Sequence, residues 1–126
     1  MSYNEDVTIR WEVEDPKARK VILKQSTYEE HIDKDHTDED AAYRQNAEKQ
    51  AKETIVNPQF IVRDEEDNDR HVYYKIVTVP YGNDRKRLRN MKVVVDTDRT
   101  PHEVVTWIVQ SKLKDTIREE WIDYAN

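Results

Sequence analysis

The chain contains no cysteine, which removes disulfides, thiolate catalysis and cysteine-ligated zinc in one observation. Its stability must come from packing. Long apolar runs are also missing, since nothing approaches the roughly 18 residues a membrane span requires. The opening Met1-Ser-Tyr-Asn-Glu-Asp6 carries neither the basic segment nor the apolar stretch of a secretory leader. A cytoplasmic address with no membrane partner is expected. No Pro- or Ser-rich tract and no internal repeat divides the 126 residues, so a single domain over residues 1–126 is expected, long enough to bury a core unaided. Positive charge is in deficit, with 21 Lys and Arg against 27 Asp and Glu and a net charge of −6. Nucleic acid is therefore not attracted by the surface as a whole, and such a partner must meet a local basic patch. Apolar residues make up 36% and charged residues 38%, which implies a densely ionic surface around a compact core.

Val7, Ile9, Trp11 and Val13 alternate with polar residues up to Pro16, the period of a half-buried strand, and Val21-Ile-Leu23 reads as a second short strand. Ser26 followed by Glu29 has the spacing of a capping box and predicts a short helix from Thr27 to Asp35. Thr37 with Asp38, Glu39 and Asp40 suits the positive end of a second helix. In that helix Tyr43, Ala47, Ala51 and Ile55 form a narrow apolar stripe, and Asn57-Pro58 ends it.

Beyond Pro58 the residues become β formers: Phe60 to Val62, Val72 to Val79, Met91 to Val95 and Val104 to Val109. Polar turns at Asp64–Asp69 and Asp98–Pro101 suggest hairpins. Val104 to Val109 is apolar on both faces apart from Thr106, the pattern of a central strand. Leu113, Ile117 and Trp121 recur at helical spacing near the C-terminus. The expected class is α+β, with N-terminal helices packed on a four-stranded antiparallel meander and a C-terminal helix.

Chemistry is most concentrated at His31 and His36, since imidazole titrates near neutral pH. On a continuous helix they would sit about 140° apart around the axis. They share a site only if the helix breaks near Asp35. The reading without function is a pair of solvated histidines in an acidic capped turn. A metal site from His31, Asp33, Asp35 and His36 matches no standard ligand spacing, and Asp64–Asp69 lacks the glycine and distal glutamate of a calcium loop. No metal or cofactor is expected. His71 and His102 stand alone in the sequence and read as incidental. Arg85, Lys86, Arg87, Arg89 and Lys92 set five cations against Asp84, enough to hold a few phosphates. A solvated connecting loop is the plain alternative. Of Tyr73 and Tyr74, strand alternation leaves at most one to stack a base.

Tyr28-x-x-His31 with His36, Ile55-Val-Asn-Pro58, Val72-Tyr-Tyr74, Lys92-Val-Val-Val95 and Val104-Val-Thr106 together resemble the phage and mobile-element branch of the barnase, EndoU, colicin and RelE-like nucleases. The resemblance covers roughly residues 20 to 110. It implies a small metal-independent ribonuclease, with helical histidines and a sheet that supplies a hydroxyl and basic side chains. Carried over, His31, His36 and Thr106 take the catalytic positions. Trp107 and Ile108 replace the small residue and tyrosine usual after that threonine.

Such a site would use the histidines as acid and base for 2′-hydroxyl attack, Thr106 as donor to the developing charge, and Arg85, Lys86, Arg87, Arg89 and Lys92 as a phosphate clamp. RNA is then the expected partner, with a protein partner (an immunity protein or a host enzyme) also in view. The alternative is a non-catalytic acidic protein on the same scaffold, one that binds or inhibits a nucleic-acid-processing enzyme.

Overall fold

The alternating segment at the N-terminus forms strand β1 (Ile9–Glu14), and β2 (Lys20–Lys24) returns antiparallel to it. The computed structural model describes residues 8–33, 41–64, 69–80, 86–113, 115 and 117–126. After β2 comes one α-helical turn, α1 (Gln25–Thr27), which widens into a π-helical stretch over Tyr28–Ile32. Its N-cap is Lys24, without a side-chain capping bond, so Ser26 and Glu29 do not make the expected box. The expected break before His36 and the Thr37 cap lie outside the described residues.

The long helix α2 (Ala41–Val56) buries Ala47, Ala51 and Ile55. Small alanines at that spacing let the helix axis lie close to a sheet. Thr54 is also buried, and its hydroxyl donates to the Gln50 carbonyl one turn back at 2.7 Å. Five further strands follow: β3 (Phe60–Arg63), β4 (Arg70–Pro80), β5 (Lys86–Asp96), β6 (His102–Gln110) and β7 (Ile122–Ala125).

All seven strands belong to one mixed sheet of order β1-β2-β6-β5-β4-β3-β7. This corrects the expected four-stranded antiparallel meander under N-terminal helices. Two reasons account for the difference. The N-terminal hairpin joins the sheet through a parallel pairing of β2 with β6, Val21 opposite His102 and Ile22 opposite Glu103, which no local pattern encodes. The expected C-terminal helix is absent from the described residues of that segment. Glu119–Trp121 makes a single 3₁₀ turn, and Ile122–Ala125 pairs with β3. Ile117 and Trp121 keep their apolar role without a helix, since they pack on Val62, Val72 and Tyr74. Among the described residues no helix is long and apolar enough to cross a membrane.

The main core lies between the sheet and α2, with Val21, Leu23, Ile61, Tyr73, Met91, Val93, Val95, Val104 and Trp107 from the sheet. Trp107 is stacked against Trp11 with ring centroids 6.4 Å apart, and Tyr28 tilts against it at the same distance. The helical elements therefore sit on one face of the sheet.

The sheet curls toward that face. In a flat sheet, β1 and β7 would be six strand spacings apart, roughly 29 Å. Yet a single arginine in the β1–β2 turn spans the gap. Arg19 Nε donates to Asp15 Oδ2 at 2.7 Å, and its terminal nitrogen donates to Asp123 Oδ2, on β7, at 2.7 Å. Asp15 is buried, and its Oδ2 also accepts the Tyr73 hydroxyl from β4 at 2.6 Å, while its Oδ1 accepts the backbone N–H groups of Lys17 and Arg19. One carboxylate thus fixes the turn, the sheet centre and, through Arg19, the far edge.

The turn places Ala18 at φ 61°. For a residue with a Cβ the left-handed region costs about 1–2 kcal/mol. Ala18→Gly removes that cost and adds unfolded-chain entropy of about 0.4–1 kcal/mol. The net expectation is a gain of about 0.5–1 kcal/mol, read as a higher midpoint in urea with unchanged slope. Asp15→Ala leaves Arg19 and Tyr73 without their shared acceptor, and a loss of about 3 kcal/mol is expected in the same assay.

Candidate functional site on the open face of the sheet

Strand alternation assigns each residue of β4, β5 and β6 to a face. On β5, Met91, Val93 and Val95 are buried toward α2, so Arg87 and Arg89 share that side, while Lys86, Leu88, Asn90, Lys92 and Val94 point to the opposite, open face. The cations expected to form one loop clamp are instead on an 11-residue strand that divides them. Arg85 lies outside the described residues.

On β6 the core residues Val104 and Trp107 face α2, and an irregularity beside Val105 sets Thr106 and Ile108 on the open face. His31 is exposed on the π-helical stretch, between Tyr28 and Ile32, both of which pack toward the core on the α2 side. The sheet therefore stands between His31 and Thr106, and the structure does not bring these two together. His36 lies outside the described residues.

Thr106 and Lys92, in contrast, share a face. Lys92 is paired with Tyr74 on one side and Ile108 on the other, and Val94 is paired with Thr106. Thr106 is thus a diagonal cross-strand neighbour of Lys92, roughly 7 Å away and within reach of a long side chain. A third group converges there. Asp115 Oδ2 accepts a hydrogen bond from Lys92 Nζ at 2.7 Å and from the Tyr74 hydroxyl at 2.6 Å.

Beside this triad a crevice of about 370 Å³ runs between the sheet and the C-terminal segment, with Phe60, Tyr74, Ile76, Asn90 and Leu113 in its walls. Ile76, Leu88, Ile108 and Leu113 are solvent-exposed, and the first three project from this face by the alternation above. The site is therefore part polar triad and part apolar shelf.

The electrostatics follow from these bonds. Burial alone would raise the Asp115 carboxyl, but the hydrogen bonds from Lys92 and Tyr74 outweigh it and hold the group below its ordinary value. The Tyr74 phenol is pushed up, first by burial and then by its bond to the carboxylate. Tyr74 therefore keeps its proton. Asp115 carries no signal in the sequence, because its two partners come from the middle of separate strands. The tyrosine pair was partly legible. Tyr73 and Tyr74 do face opposite ways, and each hydroxyl finds an aspartate on its own side of the sheet.

No family model, curated protein or solved structure matches the chain.

A second concentration of titratable groups lies at the curled end, on the α2 side. His71 on β4 and His102 on β6 reach across β5 to an edge-on contact, 6.3 Å between ring centroids. Both sequence-isolated histidines are therefore neighbours in space. Both Nδ1 atoms are buried without a hydrogen-bond partner. Burial lowers the pKa of each, and the Arg19 guanidinium lowers it further. Among the described residues no group of three or more His, Asp or Glu is placed to hold a metal ion.

A base with a depressed folded pKa binds fewer protons in the native state than in the unfolded chain. Its contribution is therefore complete above its ordinary value of 6.5 and declines as pH falls below it. Asp15 and Asp123 are also held low, against the effect of burial, by their hydrogen bonds. Their share persists above their ordinary value of 3.8 and is lost in stronger acid. Unfolding free energy measured from pH 8 to pH 3 should fall in two stages, the first beginning near pH 6.5, and His71→Leu should flatten that first stage.

Proposed function

We propose that the protein is a small ribonuclease-like domain that acts on RNA through the open face of its sheet. The observation that carries this reading is the meeting of Lys92, Tyr74 and Asp115 beside Thr106 at the edge of a crevice. Metal-independent cleavage needs an acceptor for the 2′-hydroxyl proton, a donor to the leaving 5′-oxygen and positive or donor groups at the phosphate. The Asp115 carboxylate supplies the acceptor. Tyr74 carries the proton for the leaving oxygen and recovers it through its bond to Asp115. Lys92 and the Thr106 hydroxyl face the non-bridging oxygens, and Lys86 extends the positive charge along β5. The exposed Ile76 and Leu88 offer flat apolar surface to bases. His31 has no part in this set, since it lies across the sheet.

The same shelf of Ile76, Leu88, Ile108 and Leu113 favours a second reading, in which the face binds a protein without catalysis. The two separate in one assay. With structured and single-stranded RNA in EDTA, cleavage to 2′,3′-cyclic phosphate ends is expected from the wild type. Lys92→Ala and Asp115→Asn should each lose about 100-fold in kcat/KM, and Thr106→Val about tenfold. His31→Ala should cleave normally. Absence of wild-type cleavage, or cleavage that survives Lys92→Ala and Asp115→Asn, removes the catalytic reading and leaves the binding one.

A further inference from the structure

Strand β1 is an edge of the sheet. It pairs with β2 alone, so one row of its backbone N–H and C=O groups has no strand partner among the described residues. Such an edge is a template for another extended chain unless it is covered. Here it is flanked by a trough. Between β1 and α2 lie two adjoining depressions of about 530 and 360 Å³, which share Trp11, Lys49 and Lys52 as lining residues. Exposed Ile9 stands in the first and exposed Val56 in the second.

The charge in the trough is unevenly committed. Glu48 is occupied by the Arg10 guanidinium and by the Trp11 indole N–H at 2.9 Å. Glu53 is paired with Lys75 at 3.4 Å. Arg10 is spent on Glu48 and lies over the Tyr28 ring, 3.7 Å from its centroid. Lys49 has no ion pair among the described residues, and Lys52 has no salt bridge there, only a longer-range attraction to Glu48 and the Trp11 ring 5.9 Å away. Glu12 also borders the second depression, but strand alternation turns it away from α2, opposite to Trp11 and Val13. Two ammonium groups outside the salt bridges therefore line a strand-and-helix trough with apolar anchors toward its ends.

We propose that this trough is a docking site for an extended acidic segment of a partner protein, which adds to the edge of β1 as an eighth strand. Backbone pairing with β1 supplies the affinity, and alternate side chains supply the choice. Apolar residues of the segment contact Trp11, Ile9 and Val56, and its carboxylates meet Lys49 and Lys52. The site is separate from the open sheet face, since it lies on the α2 side, and it does not depend on RNA cleavage.

The probe is the fluorescein-labelled peptide Val-Thr-Glu-Thr-Glu-Thr-Val-Thr, whose Val and Glu side chains share one strand face, compared on the full chain with the counterpart that carries Lys in place of each Glu. Anisotropy should show binding of the Val/Glu peptide alone, weakening as salt rises. Lys49→Glu with Lys52→Glu should weaken it at least tenfold and confer binding of the Val/Lys peptide. The milder Lys49→Gln with Lys52→Gln should fall between, and circular dichroism should show both variants folded. Chemical-shift changes should centre on the Trp11 indole and the β1 amides. No binding, equal binding of both peptides, shifts centred elsewhere, or sedimentation showing a second copy of the chain paired on β1 would each overturn the proposal.

Discussion

The buried carboxylate of Asp15 is the constraint around which this fold is arranged. Removal of a charge from water costs several kcal/mol unless it is paired and hydrogen-bonded. Asp15 meets that condition with two backbone amides, a guanidinium and a phenol. Each partner belongs to a different structural demand: the tight β1–β2 turn, the sheet centre at Tyr73, and the reach of Arg19 to Asp123. Rolling the sheet brings these partners together, and their meeting stabilises the roll. The positive φ at Ala18 shows the direction of the balance, because a strained turn is tolerated to keep the carboxylate satisfied. With only one glycine in the chain, at Gly82, the turn has no better residue to use.

Two faces of one sheet carry different chemistry as a result. The α2 side holds nearly all the large buried side chains and the histidine pair. The open side holds the Lys92, Tyr74 and Asp115 contacts and the exposed aliphatic residues. The pleat of β5 decides which cations serve which side, and a linear run of basic residues therefore becomes two half-sets. A cluster in sequence is a cluster in space on a helix face or a loop, and it is not one on a strand.

Local periodicity made much of the fold legible. The alanine stripe of α2, the β-rich second half and the alternation in β1 all appear where residue spacing places them, since each depends on near neighbours. The parallel pairing of β2 with β6 was not legible, because it joins residues about eighty positions apart through backbone groups that every sequence possesses. Leu113, Ile117 and Trp121 imitate helical spacing, yet the latter two pack against Val62, Val72 and Tyr74 with no more than a 3₁₀ turn at Glu119–Trp121. The candidate site was half legible. Lys92 and Thr106 could be picked out singly, whereas Asp115 acquires meaning only from its two partners. The isolation of His71 from His102 in sequence hid their contact for the same reason.

The curl also dictates an order of events during synthesis. The bridge from Arg19 to Asp123 spans 104 positions, so the two ends of the sheet cannot close until Asp123 has left the ribosome. Until β6 emerges, the β1–β2 hairpin has no strand to dock on, and Val21, Ile22 and Leu23 stay wet. Such late, distant pairings slow folding and lengthen the time during which apolar strands can find other chains. The dense surface charge of this protein then has a second role, as mutual repulsion between nascent copies while the hairpin waits for its neighbour.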